Sequence, residues 1–411
     1  MLNKNNEREL AYVVKVDGIE ELPGYDRVES AIIGGWRCIV PKGQFKVGDP
    51  GIYFEIDSRV PNDRECFAFL EKRHYKVKTQ KMCKSISQGL LMHAEDFGWS
   101  IGYDTDDTSG DVPYIVDDKG EKHYAAGETR FLTEILGVVY AEEEDNQRKA
   151  PSVDKYKKMA QRHPEIFHQN WARWMMKREW GRKVMFFFFG KKKDKKSGWP
   201  AWVQKTDEER IQNMPWILKN EDVWIATEKI DGSSTTFTMK RGKRGKKEFY
   251  VCSRNVCFDS IDKPCYYDSN IYWEMAQKYK MFDVLSDLLD HMPEVEWITV
   301  QGETYGAGVQ KRDYSLEGHD FVAFNLITSN RGRWNSRAMK SILEEGYDVP
   351  CVPIVDIGFK FHGMSVDELL KKAEGVSEID GKPREGLVFR SVDGTQSFKA
   401  VSNSYLLKYH G

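Results

Sequence analysis

Residues 223–234 read Val-Trp-Ile-Ala-Thr-Glu-Lys-Ile-Asp-Gly-Ser-Ser. Val223 to Thr227 is an apolar, β-branched run that predicts a strand. The chain then leaves it through Lys229–Ile230–Asp231–Gly232–Ser233–Ser234. A lysine at such a strand end becomes a nucleophile when its amine is kept neutral, which desolvation and nearby cations favour. Asp231–Gly232 makes a tight turn that can hold the lysine at a pocket mouth. Taken alone, this pattern fits a surface hairpin turn better.

Downstream, Phe249 to Ser253, Trp297 to Gly302, Phe321 to Leu326 and Leu387 to Arg390 also read as strands. Ile271 to Asp290 and Arg337 to Glu345 read as helices. The mixture predicts an α+β domain over residues 221–411. Polar residues recur at or near its strands. They stand in Ser253–Arg254–Asn255, in Gln301–Gly302–Glu303–Thr304–Tyr305–Gly306, in Arg384–Glu385–Gly386–Leu387 and in Phe398–Lys399–Ala400. Asp320–Phe321–Val322–Ala323–Phe324–Asn325 is an aromatic strand. Each segment alone suits a structural role: an exposed Glu, a core Phe, a solvated Lys.

Upstream, residues 8 to about 140 alternate short strands with turns. Ala31 to Val40, Gly51 to Ile56 and Tyr75 to Thr79 are strand-like, and Gly34–Gly35, Pro41–Lys42–Gly43 and Gly48–Asp49–Pro50–Gly51 punctuate them. That pattern suits a small antiparallel barrel of the OB type over 1–140. Residues 97 to 128, rich in Asp, Gly and Ser, read as an inserted loop, and Phe131 to Tyr140 as a closing helix or strand. Residues 141–220 read as a helical, charged linker. It starts at Glu142–Glu143–Glu144–Asp145 and continues through helix-like stretches at Asp154 to Arg162 and Glu165 to Trp180. Phe186 to Phe189 reads as an apolar strand. The following Lys191–Lys192–Lys193–Asp194–Lys195–Lys196 fits a solvated loop better than a phosphate-contacting one.

Net charge is −2, so nucleic-acid binding must rest on local basic patches. One candidate is Lys72, Arg73, Lys76, Lys78, Lys81 and Lys84 around Tyr75, where Lys76 and Lys78 share a strand face. It suits a phosphate-tracking surface and a lysine-protected edge strand equally. Another is the hairpin Lys240–Arg241–Gly242–Lys243–Arg244–Gly245–Lys246–Lys247, next to the lysine motif in sequence. No apolar run is long enough for a bilayer and no secretory leader is visible, which excludes a membrane role and points to the cytoplasm. The 7 cysteines show no C-x-x-C. Cys252, Cys257 and Cys265 fit small apolar residues in and after a strand better than a metal site.

In their order, the segments from Lys229 to Lys399 resemble the motifs of the covalent nucleotidyltransferases, the superfamily of ATP- and NAD-dependent ligases and mRNA capping enzymes. Lys205–Thr206–Asp207–Glu208–Glu209–Arg210–Ile211–Gln212–Asn213, together with Ser87–Gln88–Gly89–Leu90 and Gly34–Gly35–Trp36, resembles an ATP-dependent RNA ligase subfamily. Its members carry an OB domain ahead of a nucleotidyltransferase domain (the ATP-grasp-like ligase adenylation fold). The chain ends twelve residues after Lys399, where DNA ligases and capping enzymes continue into a C-terminal OB domain; this disfavours both.

The resemblance implies an RNA ligase that joins 3′-OH and 5′-phosphate ends, in nicked duplexes or at broken ends, through an AMP carried on Lys229. ATP and Mg2+ or Mn2+ are the implied cofactors, and RNA repair the implied role. Glu303 would take the ribose, Phe324 the adenine, Glu385 the metal through water, and Lys399 and Arg254 the phosphates. Lys399 would also help to keep Lys229 neutral. Glu228 and Ser234, flanking Lys229, would join the nucleotide-binding set, as would Lys205 and Arg210 on the triphosphate. Many relatives carry a second lysine where Val401 stands, and Lys408 is a candidate replacement. A minimal ATP-dependent DNA ligase and a non-catalytic nucleic-acid-binding protein are the alternatives.

Overall fold

The computed structural model describes residues 1–106, 110–141, 164–167, 169–189, 199–205, 207–258 and 270–409. They fall into two bodies, Met1–Val139 with Trp199–Gly411, and Tyr140–Gly198.

In the first body, Ala11–Lys15 pairs antiparallel with Pro50–Phe54, which pairs with Leu90–Met92. A second small sheet joins Gly18–Glu21, Val28–Ile33 and Trp36–Pro41. Gly34 and Gly35 close its hairpin with φ of +53° and +82°, a turn for which glycine is suited at both positions. The two sheets enclose one core, in which Tyr12, Trp36 and Tyr53 are the largest members. This is the OB-type unit expected from the turn spacing.

The expectations for the rest of this region need correction. Residues 97–128 are not a loop, because Ser100–Asp106, Gly110–Val116 and Lys122–Tyr124 form a meander. Ile101 and Tyr103 pair with Ile115 and Pro113, while Gly102 and Asp104 between them pair with Tyr114 and Val112, so the strands themselves carry Gly and Asp. Tyr75–Thr79 is not a strand. His74 and Tyr75 adopt left-handed φ of 53° and 60° after the short helix Glu65–Arg73, so Lys76 and Lys78 do not share a strand face. Phe131–Tyr140 is mostly turn, with only Val139–Tyr140 extended.

Beyond Trp199 the first body contains two sheets. One has the order Ile354–Phe359, Trp224–Lys229, Gly386–Ser391, Ser397–Val401. The other runs Cys257–Phe258, Lys247–Ser253, Ser233–Arg241, Trp297–Gly306, His319–Thr328, Gly332–Arg333. Helices Ile271–Lys278 and Met281–His291 bury Met275, Leu285 and Leu289 against the larger sheet. Helix Val366–Ala373 buries Leu369 and Leu370 with Trp224, Phe361 and Phe398 behind the smaller one. Only Ile230, Asp231 and Gly232 separate the two sheets at the lysine motif. A Cβ on Gly232 would lie 2.3 Å from the Thr304 carbonyl oxygen, so the turn presses directly on the neighbouring strand.

The second body holds helices Pro164–Phe167, Asn170–Met176 and Glu179–Phe189. Phe186–Phe189 is therefore helical rather than a strand. An unbroken aromatic run has no period, and its environment decides its state. Glu165–Trp180 is not one helix but parts of three. The helices pack closely at Gly181, where a Cβ would meet the Met175 carbonyl oxygen at 2.2 Å. The expected linker start at Glu142–Asp145, the expected helix at Asp154–Arg162, the run Lys191–Lys196 and Cys265 lie outside the described residues. Among the described residues no helix is long and apolar enough to cross a membrane.

Candidate active site

A cavity of about 330 Å³ opens where the two sheets meet. The strand Trp224–Lys229 delivers Thr227, Glu228 and Lys229 to it; the start of Ser233–Arg241 delivers Ser233 and Ser234. Glu303 comes from the neighbouring strand, in register with Ser234. Phe324, Arg254 and Lys399 also line the cavity. Segments spread over 170 residues of sequence thus converge, because antiparallel pairing brings their ends to one edge.

Lys229 lies at the centre. Its Nζ is 2.7 Å from Glu385 Oε2, and both side chains are largely buried. Glu385 precedes Gly386, which pairs with Lys229 across the sheet. A Cβ on Gly386 would lie 2.2 Å from the Ala400 carbonyl oxygen, so glycine there lets the strand carrying Lys399 come close. Asp231 is fixed from two sides: its N–H donates to the Tyr314 hydroxyl at 2.7 Å, and the Tyr405 hydroxyl donates to its Oδ2 at 2.9 Å.

The electrostatics of the amines differ from expectation. Burial lowers the Lys229 pKa, but Glu385 and Glu303 together outweigh it, and the ammonium is held above its ordinary value. Lys399 is the amine that is weakened. Burial, then the charges of Lys229 and Arg210, push it down to about 8. The two amines repel one another, as expected of Lys399 beside Lys229, but at Lys229 the adjacent carboxylates prevail. Burial also pushes Glu303 up to about 8, against the pull of Lys229.

Glu228 is buried. Its Oε2 accepts the Glu378 N–H at 3.0 Å, while its Oε1 has no hydrogen-bond partner among the described residues. Burial raises its pKa. Phe324 packs at the edge of an apolar cluster with Ile230 and Val352, and Val352 also lines the cavity. Arg254 is exposed and pairs with Asp207 at 2.6 Å. Lys205 donates to Asn255 Oδ1 at 2.9 Å and lines a small side cavity that shares Asp207, Ser234 and Arg254 with the main one.

Lys408 is not brought to the site: it is exposed, over the Tyr409 ring, and lines neither cavity. Val401 is buried in an apolar contact with Ile86 and Leu406, so its place is filled by packing between the OB unit and the last helix. Arg210 is bridged to Lys399 through the backbone, and its charge acts on that lysine.

Glu208 and Arg390 were missed by the sequence reading. Arg390 is buried, and its guanidinium donates to Thr227 Oγ1 at 3.0 Å and to Glu208 Oε1 at 3.3 Å. Burial lowers its pKa to about 10. The signal was strand alternation: Val388 and Arg390 face the cavity, while Leu387 and Phe389 face the core. Counting in twos from Gly386 finds Arg390.

Residues 222–410 match the RNA ligase family. The chain carries an RNA ligase domain. Residues 10–94, ahead of this ligase domain, match an OB-fold domain. No curated protein is significantly similar to the chain. Among solved structures, a point mutant of Naegleria gruberi RNA ligase with ATP and Mn is 25% identical, with a TM-score of 0.63, over 98% of this chain and 100% of that one. The Naegleria gruberi RNA ligase with PPi is 25% identical, with a TM-score of 0.62, over 98% and 99%. A further mutant with AMP and Mn is 25% identical, with a TM-score of 0.61, over 98% and 99%. The similarity thus spans the OB-fold unit and the ligase domain together.

Proposed function

We propose that the protein is an ATP-dependent RNA ligase that joins 3′-OH and 5′-phosphate ends by way of an AMP bound to Lys229. The observation that carries this reading is the Lys229–Glu385 pair at 2.7 Å, beside a cavity that also presents Glu303 and Lys399. Its volume, about 330 Å³, lies within the roughly 300–1,000 Å³ of small-molecule sites. The Naegleria ligase structures with ATP, AMP, PPi and Mn support the same ligands here.

The residues fit a nucleotide chemically. The unpartnered Oε1 of Glu228 accepts the amino group of a purine, and Phe324 offers a ring face for stacking. Glu303 accepts from ribose hydroxyls. Lys399, Arg254 and Lys205 supply positive charge for phosphates, with Arg210 behind Lys399.

Lys229 attacks the α-phosphorus of ATP; a new N–P bond forms and the bond to pyrophosphate breaks. The AMP then passes to the 5′-phosphate of the RNA, which frees Lys229. The 3′-hydroxyl displaces AMP and closes the phosphodiester. Attack requires the neutral amine, so Lys229 must first release to solvent water the proton that Glu385 and Glu303 favour. Glu385 would hold a divalent cation, whose charge offsets that of the phosphates and cancels the attraction that keeps Lys229 protonated. Lys399 remains cationic beside the phosphates below about pH 8.

On this reading residues 1–140 hold RNA, 221–411 carry the chemistry and 141–220 connect them. The test is a panel of nicked duplexes and single-stranded ends, varied in RNA and DNA content, with ATP and Mg2+. Sealing that requires RNA on the 3′-hydroxyl side is expected. Equal sealing with DNA on that side would favour a DNA ligase, and no sealing of any substrate would overturn the reading.

A further inference from the structure

The helical body places its largest side chains outside its core. Phe167, Ala172 and Met185 fill the interior between the three helices. Trp171, Trp174 and Trp180 remain 51%, 50% and 53% exposed. Indoles are usually buried where a core can take them, and a cluster of half-exposed ones marks an interaction surface.

The surface is also cationic. Residues 164–189 contain Arg173, Lys177, Arg178, Arg182 and Lys183 against Glu165 and Glu179, a net charge of +3 in a chain whose total is −2. The remainder of the chain therefore carries −5, so this segment is locally cationic against an acidic whole. Cations and rings alternate. The Arg178 guanidinium lies 3.7 Å from the Trp174 ring centroid, and the Trp174 and Trp180 rings meet edge to face at 6.0 Å. The Trp171 indole N–H donates to Gln169 Oε1 at 2.6 Å, so that ring is oriented by a polar partner.

We propose that this surface binds an unpaired stretch of RNA, with Trp171, Trp174 and Trp180 as stacking platforms and Lys177, Arg178 and Lys183 as phosphate contacts. It rests on the reading of RNA as the substrate and adds a second place where the strand is held. Interleaved rings and cations suit a strand in which bases and phosphates alternate. A helix lying on a membrane separates its apolar face from its charged one. Here the charged positions 173, 177, 178 and 183 fall between the tryptophans and beside them. Val184 and Phe188, exposed at four and eight residues after Trp180, extend the apolar ridge, which is why vesicles belong in the test.

The experiment measures fluorescence anisotropy of a labelled, unpaired RNA with the full chain. It compares wild type, W171A/W174A/W180A and K177A/R178A/K183A. Adenylation by labelled ATP is followed in parallel. Both variants should bind the RNA at least about tenfold more weakly, with adenylation within about twofold of wild type. The cation variant should also show a shallower dependence on salt. Because the altered residues are exposed, two independent variants guard against a folding defect in either. Wild-type affinity in both would overturn the proposal. So would tryptophan-dependent sedimentation with phosphatidylserine vesicles while RNA affinity stays unchanged. If wild type adenylates but binds no unpaired RNA, this surface assignment fails and the ligase chemistry stands. If wild type binds RNA through these residues but never adenylates, the ligase reading fails instead.

Discussion

The strand Ser233–Arg241 has two ends, both rich in charge, and they do different things. At its start, Ser233 and Ser234 line the cavity beside Lys229, Glu303 and Lys399. At its far end, the hairpin carries Lys240, Arg241, Lys243, Arg244, Lys246 and Lys247. Seven residue steps of strand lead from Ser234 to Arg241, about 23 Å at the usual rise. The hairpin is therefore remote from the site, although it is adjacent in sequence. The cations at its base, Lys240, Arg241 and Lys247, have structural partners. Arg241 donates to the carbonyls of Leu289, Met292 and Val295 near the end of helix Met281–His291. Lys240 pairs with Glu296, and Lys247 with Asp290. Cation density thus marks no phosphate site by itself. What distinguishes the other end is burial: amines and carboxylates held together with little solvent, so that their pKa values move.

The largest effect should come from the cavity end. Replacing Glu385 with alanine removes the carboxylate next to Lys229. Adenylation of the enzyme should fall by about a hundredfold or more, followed as labelled AMP on protein. A fall of less than threefold would place the chemistry elsewhere.

The next effect separates the two amines. Lys399 is charged below about pH 8 and loses its proton as pH rises through that value. The KM for ATP should therefore climb above pH 8, by up to about tenfold. Lys399→Arg, which stays charged, should remove the climb even if kcat falls. A climb that persists in Lys399→Arg would assign it to another group.

At the far end the expected effects are on stability alone. Arg241→Ala leaves carbonyls near the helix end without their donor, and should destabilise the fold by about 1–3 kcal/mol in denaturant titration, with an unchanged KM for ATP. The smallest effect belongs to the hairpin tip. Lys243→Ala/Arg244→Ala/Lys246→Ala should leave adenylation within about twofold of wild type. A large loss there would erase the distinction between the two ends.

The same contrast explains what could be read from the sequence. The order Lys229, Arg254, Glu303, Phe324, Glu385, Lys399 was legible because each residue lies in or beside a strand, and strands show in apolar and β-branched runs. Register was not legible. Only the pairing of Lys229 with Gly386, and of Ser234 with Glu303, shows which strand ends meet. Nor does a sequence report how far apart neighbours in it become, so the hairpin seemed close to the site. Arg390 was hidden in a strand that reads as core, since its other residues are apolar. The meander at Ser100–Tyr124 was hidden by the Gly, Asp and Ser residues within its own strands. Val401 was visible as a missing cation, but the apolar contact that replaces it, with Ile86, joins residues more than 300 positions apart.

The central claim is that Lys229, and no other lysine, carries AMP. Incubation with ATP and Mg2+, then proteolysis and mass spectrometry, tests it directly. One AMP is expected on the peptide that contains Lys229, and none in Lys229→Ala. AMP on Lys399 or Lys205, or an adenylated Lys229→Ala protein, would contradict it.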